Sequence, residues 1–263
     1  MDFLQVTGKI FLVTGVANKK SVAYFIARGL IDNGAQVIFS VQNEDNQSKA
    51  QKLFPDSTVL ICDVESPDSI NRLGEYFQTN NIKLSGFVHS IAFANYSEGL
   101  KPFHETKVED YLQATNISCF SLVAISNALK NSFAEDASIV TISISNTRAT
   151  AYGYMGPIKA ALDATVAFLA KSLSEISRIR VNAVCAGPLK TSASAGIPGY
   201  VNNYLFAEQL TLRKAALKTE EVANTAIFLL SPVSAGINAT GIVVDAGMSC
   251  NYFDQDIVNR AMR

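Results

Sequence analysis

Short apolar runs rich in β-branched residues recur along the chain: KIFLVTG ending at Gly15, QVIFS at Ser40, TVLICD at Asp63, GFVHS at Ser90, SIVTIS at Ser143, RVNAVC at Cys185 and GIVVD at Asp245. Between them lie longer stretches with helical spacing of apolar positions. Most of the runs are apolar on both faces, as strands are when helices cover a parallel sheet from two sides. The alternation predicts an α/β chain: one doubly wound domain over 1–263, with a seven-stranded parallel sheet and helices on both faces. No composition break, linker or repeat of 20 to 50 residues divides it. In such folds ligands bind beyond the carboxyl ends of the strands, so the functional residues are to be sought where each run ends.

The stretch AYGYMGPIKAALDA, Ala151 to Ala164, carries the densest candidate chemistry. Pro157 suits a first helical turn and the alanines and leucine after it propagate a helix, which is expected to begin close to Tyr152 and run toward Leu173. Tyr152 and Lys159 are seven residues apart, about 20° around a helix axis, whereas Tyr154 and Lys159 differ by about 140°. Tyr152 is therefore expected to share a face with Lys159, and Tyr154 is not. A phenol ordinarily titrates near 10, and a neighbouring ammonium group would lower that value. The same residues also suit a solvated helix lysine beside a surface ring.

After the first run the chain reads TGVANKKSVAYFIARGL, in which Gly15 ends a strand and Ser21 opens a helix whose N-terminus favours an anion such as a pyrophosphate. This falls short of a full GxGxxG, and the same strand, glycine turn and helix occur in folds that bind no nucleotide. The second run leads into Gln42, Asn43 and Glu44, with no Arg or Lys before Lys49. A ribose contact through Gln42 or Glu44, and hence NADH rather than NADPH, is the reading favoured there. Asp63 suits either an adenine contact or a helix cap before Pro67. His89 and His104 lack partner motifs, so neither is assigned to catalysis, and a Ser-His-Asp triad or histidine metal site is unsupported. Val108 to Phe133 is helical in period with Asn116, Ser118 and Ser121 as polar insertions, and the Gly196, Pro198, Gly199 segment suits a lid or a plain surface loop.

A net charge of −1 with interspersed signs gives no footprint for nucleic acid or an anionic membrane. Only 17% of residues are charged and 48% are apolar, so burial between subunits is expected. Four scattered cysteines without a CxxC point to a reducing compartment. The first run starts near Lys9, leaving no room for a signal peptide, and no apolar run reaches 18 residues. A cytoplasmic protein is expected.

Taken together, TGVANKKSVA, CDV, HSIAFAN, YGYMGPIK, RVNAVCAGPLKT and VDAGMS resemble, in order, the divergent Rossmann-type short-chain dehydrogenases, and among them the enoyl-acyl-carrier-protein reductases of bacterial fatty acid synthesis. The resemblance spans roughly Lys9 to Ser249. It implies that Tyr152 hydrogen-bonds the thioester carbonyl of a trans-2-enoyl substrate and that Lys159 holds the nicotinamide ribose. It further implies a cofactor shell of Gly15, Ser21, Val22, Gln42, Asp63, Val64, Ser90, Ile91, Leu189, Lys190, Thr191, Ser192 and Ala193. Ala94 becomes a substrate contact, the acyl group is expected on acyl carrier protein, and the assembly is expected to be a homotetramer. No metal is implied.

The chain departs from that pattern after the fifth run. Where the family usually carries an aromatic, this sequence has Ile144, and the connection from Ser143 to Tyr152 is two residues shorter. Either Tyr154 swings in to restore the wall or the pocket is recast for another acyl or carbonyl compound, which makes Ile144 and Tyr154 candidate substrate contacts. Two alternatives follow: a carbonyl or alcohol oxidoreductase of the same fold, suggested by Asn116, Ser143, Tyr152 and Lys159, and a catalytically idle dinucleotide-binding relative. Against the first, the commoner short-chain dehydrogenases place tyrosine four residues before lysine, and Met155 stands there in this chain.

Overall fold

The strands are β1 (Ile10–Thr14), β2 (Gln36–Val41), β3 (Val59–Ile61), β4 (Leu84–His89), β5 (Phe133–Ile144), β6 (Arg180–Ala186) and β7 (Gly241–Val244) in the computed structural model, which describes residues 2–99, 101–191, 194 and 196–262. They form one parallel seven-stranded sheet in the order β3-β2-β1-β4-β5-β6-β7. The order reverses between β1 and β4, and a crevice opens at such a switch point.

Each face of the sheet is covered by helices, as two-sided apolar strands require. On one face α1 (Val22–Asp32) packs against α8 (Thr219–Leu230), burying Ile26, Leu30, Ala226 and Ile227. The other face carries α3 (Pro67–Thr79), α5 (Ser121–Leu129) and α6 (Met155–Leu173) over Phe87, Ile139 and Val181. In α3, Ile70, Leu73 and Phe77 recur on one buried stripe. Each such side chain contributes about 2 kcal/mol on burial. The remaining helices are α2 (Glu44–Leu53), α4 (Val108–Thr115), α7 (Tyr200–Leu210) and α9 (Gln255–Ala261).

Two predicted boundaries differ from the observed ones. β5 begins at Phe133 rather than Ser138, because the solvent-facing Glu135 and Asp136 interrupt its apolar pattern, with a register shift against β4 between Leu84 and Gly86. The second concerns the helix expected from Tyr152. Thr150–Tyr152 instead form a 3-10 turn, Gly153 follows at φ +60°, and α6 starts at Met155. A positive φ at that position is readily adopted only by glycine and separates Tyr152 from the helix.

Helices α4 and α5 are joined by a π turn at Asn116–Phe120. The whole run Val108–Leu129 is long and apolar enough by length and composition to cross a membrane, although no such run was expected. Half of its apolar window is buried inside the protein, in the manner of a core helix. Its polar insertions are used internally: Ser118 Oγ accepts from the Phe93 N–H at 2.9 Å and donates to the Phe93 carbonyl at 3.0 Å. Cys62, Cys119 and Cys185 are buried and Cys250 is exposed, all as free thiols.

Candidate active site

A cleft of about 700 Å³ runs across the carboxyl ends of the strands from β3 to β6, within the range that binds a small-molecule ligand. At its centre Gly15 takes φ +82°, and a Cβ there would lie 1.9 Å from the Ser90 carbonyl oxygen. Only glycine lets the end of β1 pass so close to the end of β4. Ser21 and Val22 border the cleft at the start of α1. The Ser21 hydroxyl is committed to the cap, accepting from the Tyr24 N–H at 3.3 Å and donating to the Asn18 carbonyl at 2.8 Å. Any anion there meets the remaining first-turn N–H groups and the positive helix end.

Toward the far end, Gln42 is exposed and lines the cleft, while Glu44 opens α2 and lies outside it; Asn46 lines the wall instead. Asp63 and Val64 line it from the end of β3. Asp63 does not cap the next helix, since Ser66 takes that position; its Oδ1 accepts from the Glu65 N–H at 3.1 Å. Ser90, Ile91 and Ala94 follow β4 along the floor. His89 is fully buried between Thr141 Oγ1 at 2.9 Å and Ser121 Oγ at 2.8 Å. Burial and then the Lys159 charge push it down to about 3, so it is a neutral, hydrogen-bonded structural residue.

The opposite wall brings together Ile144, Tyr152 and Lys159, with Ile142, Ser143 and Met155 between them. Lys159 is 4% exposed, and its Nζ donates to the Ile142 carbonyl at 2.8 Å. An ammonium group carries three donors, and this is its one hydrogen bond among the described residues. Burial lowers Lys159 to about 8, opposed by the nearby Asp163. Tyr152 moves the other way: burial and then Tyr200 push it up to about 12. The ammonium therefore does not acidify this phenol, contrary to the sequence expectation. Desolvation sets the direction, and Tyr152 stays a protonated donor across the neutral range. The shared helical face fails as an explanation too. The two residues share the cleft because the 3-10 turn and α6 both border it.

Tyr154 does not enter the cleft. It is 8% exposed, its hydroxyl donates to the Asn95 carbonyl at 3.0 Å, and its ring packs beside Tyr96 and Tyr111, lining a separate small cavity. As the N-terminal flanking residue of α6 it is held by that helix, and Gly153 turns it away from Tyr152. The expected swing of Tyr154 into the wall beside Ile144 is not seen. Lys190 is exposed and off the cleft wall, whereas its neighbours Leu189 and Thr191 line it. Ser192 and Ala193 lie outside the described residues.

Among the side chains of the wall that the sequence did not point to are Tyr200, Ser194 and Tyr96. Tyr200 holds the β6 exit, its hydroxyl accepting from the Leu189 N–H and donating to the Leu189 carbonyl, both at 2.9 Å. Ser194 Oγ accepts from the Thr191 N–H at 2.9 Å and donates to the Leu189 carbonyl at 2.8 Å. Tyr96 also lines the cleft. The only available signal for Tyr200 was an aromatic directly after Pro198 and Gly199, and for Tyr96 there was none. Among the described residues no group of three or more His, Cys, Asp or Glu side chains is placed to hold a metal.

An elongated crevice at the switch point of a parallel sheet, a glycine turn leading into a helix, and a tyrosine and lysine on one wall define an oxidoreductase of the dinucleotide-binding class. Residues 15–249 match the family profile described as enoyl-(acyl carrier protein) reductase. The enoyl-acyl-carrier-protein reductase (NADH) of Bacillus cereus is 36% identical over 256 residues, covering 94% of this chain and 98% of that protein. The NADPH-named reductase of Staphylococcus aureus is 32% identical over 251 residues, covering 93% and 98%. The crystal structure of the NADH-named reductase of Aquifex aeolicus superposes with a TM-score of 0.88 at 32% identity, covering 93% of this chain and 97% of that one. The chain belongs to the enoyl-acyl-carrier-protein reductase family.

Proposed function

We propose that the protein reduces the trans-2 double bond of an enoyl thioester with NADH, the acyl group being carried on acyl carrier protein. The observation that carries this reading is the pairing, on one cleft wall, of a phenol kept protonated by burial with a buried ammonium that has donors to spare. The chain fits a nicotinamide dinucleotide: the cleft reaches from Asp63 to Lys159, and the glycine turn and α1 terminus lie between. When bound, NADH would supply the hydride for the β-carbon of the substrate, and a proton from solvent then completes the α-carbon. Lys159 holds the ribose hydroxyls through the donors that Ile142 leaves over. Tyr152 donates to the thioester oxygen, where negative charge grows as the β-carbon is reduced. A donor already in place there lowers the barrier by a few kcal/mol. Gly15 and the α1 terminus take the pyrophosphate and Gln42 the adenosine ribose, with Asp63 and Val64 at the adenine. Lys159 is the sole Lys or Arg among the described residues lining the cleft, which favours NADH over the 2′-phosphorylated cofactor.

The free thiols support a reducing, cytoplasmic setting. The exposed apolar side chains Leu112, Phe120 and Phe168, 56% to 79% exposed, support assembly into a homotetramer, which sedimentation would test. Ile144 on the cleft wall favours one competing reading, a carbonyl oxidoreductase with a recast pocket. The deciding experiment follows NADH absorbance with crotonyl thioester, with a 3-ketoacyl thioester and with neither. Oxidation with the enoyl compound alone is expected. Oxidation with the ketone alone gives the carbonyl reading, and binding without turnover an idle relative.

A further inference from the structure

Asp163 stands one turn of α6 beyond Lys159, about 6 Å along the helix axis and about 40° around it. The two side chains therefore leave the helix on the same side, toward the end of β5, where Ile142 holds the lysine and Ser143 follows. Asp163 is half-buried, yet its Oδ1 is sealed from solvent and accepts no hydrogen bond among the described residues. Ser143 Oγ is sealed in the same way. It faces the carboxylate and favours its charged form without closing a hydrogen bond of ordinary geometry. An unpaired polar atom in the interior is unfavourable, and a charged one more so, which calls for a reason why this position keeps it.

Lys159 supplies the reason. It is buried with a single hydrogen bond among the described residues, and a buried ammonium ion without a counter-charge is strongly unfavourable. The other titratable groups around it carry no charge at neutral pH. His89 from β4 is neutral, Cys119 from the π turn and Cys185 from β6 stay thiols because burial raises both, and Tyr152 stays a phenol. We propose that Asp163 is a positioning residue for the reaction, supplying from one turn behind the counter-charge that keeps Lys159 an ammonium group while its free donors hold the nicotinamide ribose. The ammonium gives its bond to Ile142, so the carboxylate acts across the interior, where charge is screened less than at the surface. Burial lowers the lysine to about 8, and Asp163 is the largest influence opposing that fall. The inference rests on the NADH reading above for the ribose contact, and on α6 and β5 alone for the pairing of the two charges.

Asp163→Asn removes the charge and keeps the size, at a position with water on one side, and Asp163→Glu restores the charge. NADH dissociation constants are measured from pH 6 to 9.5 by cofactor fluorescence, and urea denaturation of the free protein from pH 6 to 10.5. In the parent, NADH binding is expected to weaken as pH rises through about 8. In Asp163→Asn that midpoint is expected at least about 0.5 unit lower, with affinity at pH 6 within about twofold of the parent. The rise of stability with pH should begin lower by the same amount, because the folded lysine releases its proton earlier and the unfolded one does not. Asp163→Glu should return both curves toward the parent. Equal midpoints in parent and Asp163→Asn overturn the assignment. An affinity loss of the same size at every pH also overturns it, since a structural role would give that result. If the parent binds no NADH, the cofactor reading above falls, while the stability curves still decide whether Asp163 governs the charge of Lys159.

Discussion

Lys159 Nζ donates to the main-chain oxygen of Ile142 at 2.8 Å, joining α6 to the last residues of β5 through a side chain that is 4% exposed. One bond both anchors the lysine and fixes where its remaining donors sit. The backbone of β5 thus sets the position of a group that its own sequence does not contain.

The pH dependence of stability reports on that burial. The unfolded lysine keeps its proton to about 10.5, while the folded one releases it near 8. Between those values the unfolded chain binds more protons, so stability rises with pH, by on the order of 3 kcal/mol over the window. Urea denaturation from pH 7.5 to 10.5 is expected to show the rise. Lys159→Met should flatten it and weaken NADH binding at least about 10-fold, as ribose contacts are charge-assisted.

His89 acts in the opposite range. Its folded value is about 3 against an ordinary 6.5, so stability is fully present above pH 6.5 and lost as pH falls toward 3, by on the order of 5 kcal/mol. His89→Gln should reduce that slope while costing about 1–3 kcal/mol at pH 7 through its two hydrogen-bond partners. Denaturation midpoints at pH 4.5 and 7 give the comparison.

Gly15→Ala places a methyl group 1.9 Å from the Ser90 oxygen at a backbone angle of +82°. A loss of more than about 2 kcal/mol in stability is expected, with NADH binding lost together with it. Unchanged thermal melting and binding would show that the β1 and β4 ends can separate freely.

Tyr154→Phe distinguishes the two tyrosines of the YGYMGPIK stretch. Loss of the bond to the Asn95 carbonyl should cost about 1 kcal/mol of stability and leave kcat/KM within about twofold, since other contacts hold the ring. A larger loss of rate than in Tyr152→Phe would reverse the assignment.

How far these features could be read in advance depended on whether one property of the chain controlled them. The strands ending at Thr14, Val41 and His89 were legible because burial on two faces leaves few polar positions, and Ser21 because capping is local. Cleft residues directly at strand ends, such as Asp63 and Ile91, were legible for the same reason. The start of α6 was not: helix propensity continues through Tyr152, and only the positive φ of Gly153 stops it. The direction of the Tyr152 shift was missed because the sequence shows the lysine but not the desolvation that sets the shift. Tyr96 and Tyr200 reach the site from segments with no motif, so tertiary packing alone places them there.

The most direct test of the account is the turnover of Tyr152→Phe with crotonyl thioester, with NADH affinity measured in parallel. Removing the donor from the oxygen that gains charge should lower kcat at least about 100-fold while the dissociation constant for NADH stays within about twofold. A variant that reduces the enoyl thioester as fast as the parent would contradict the role given to Tyr152 and the mechanism built on it.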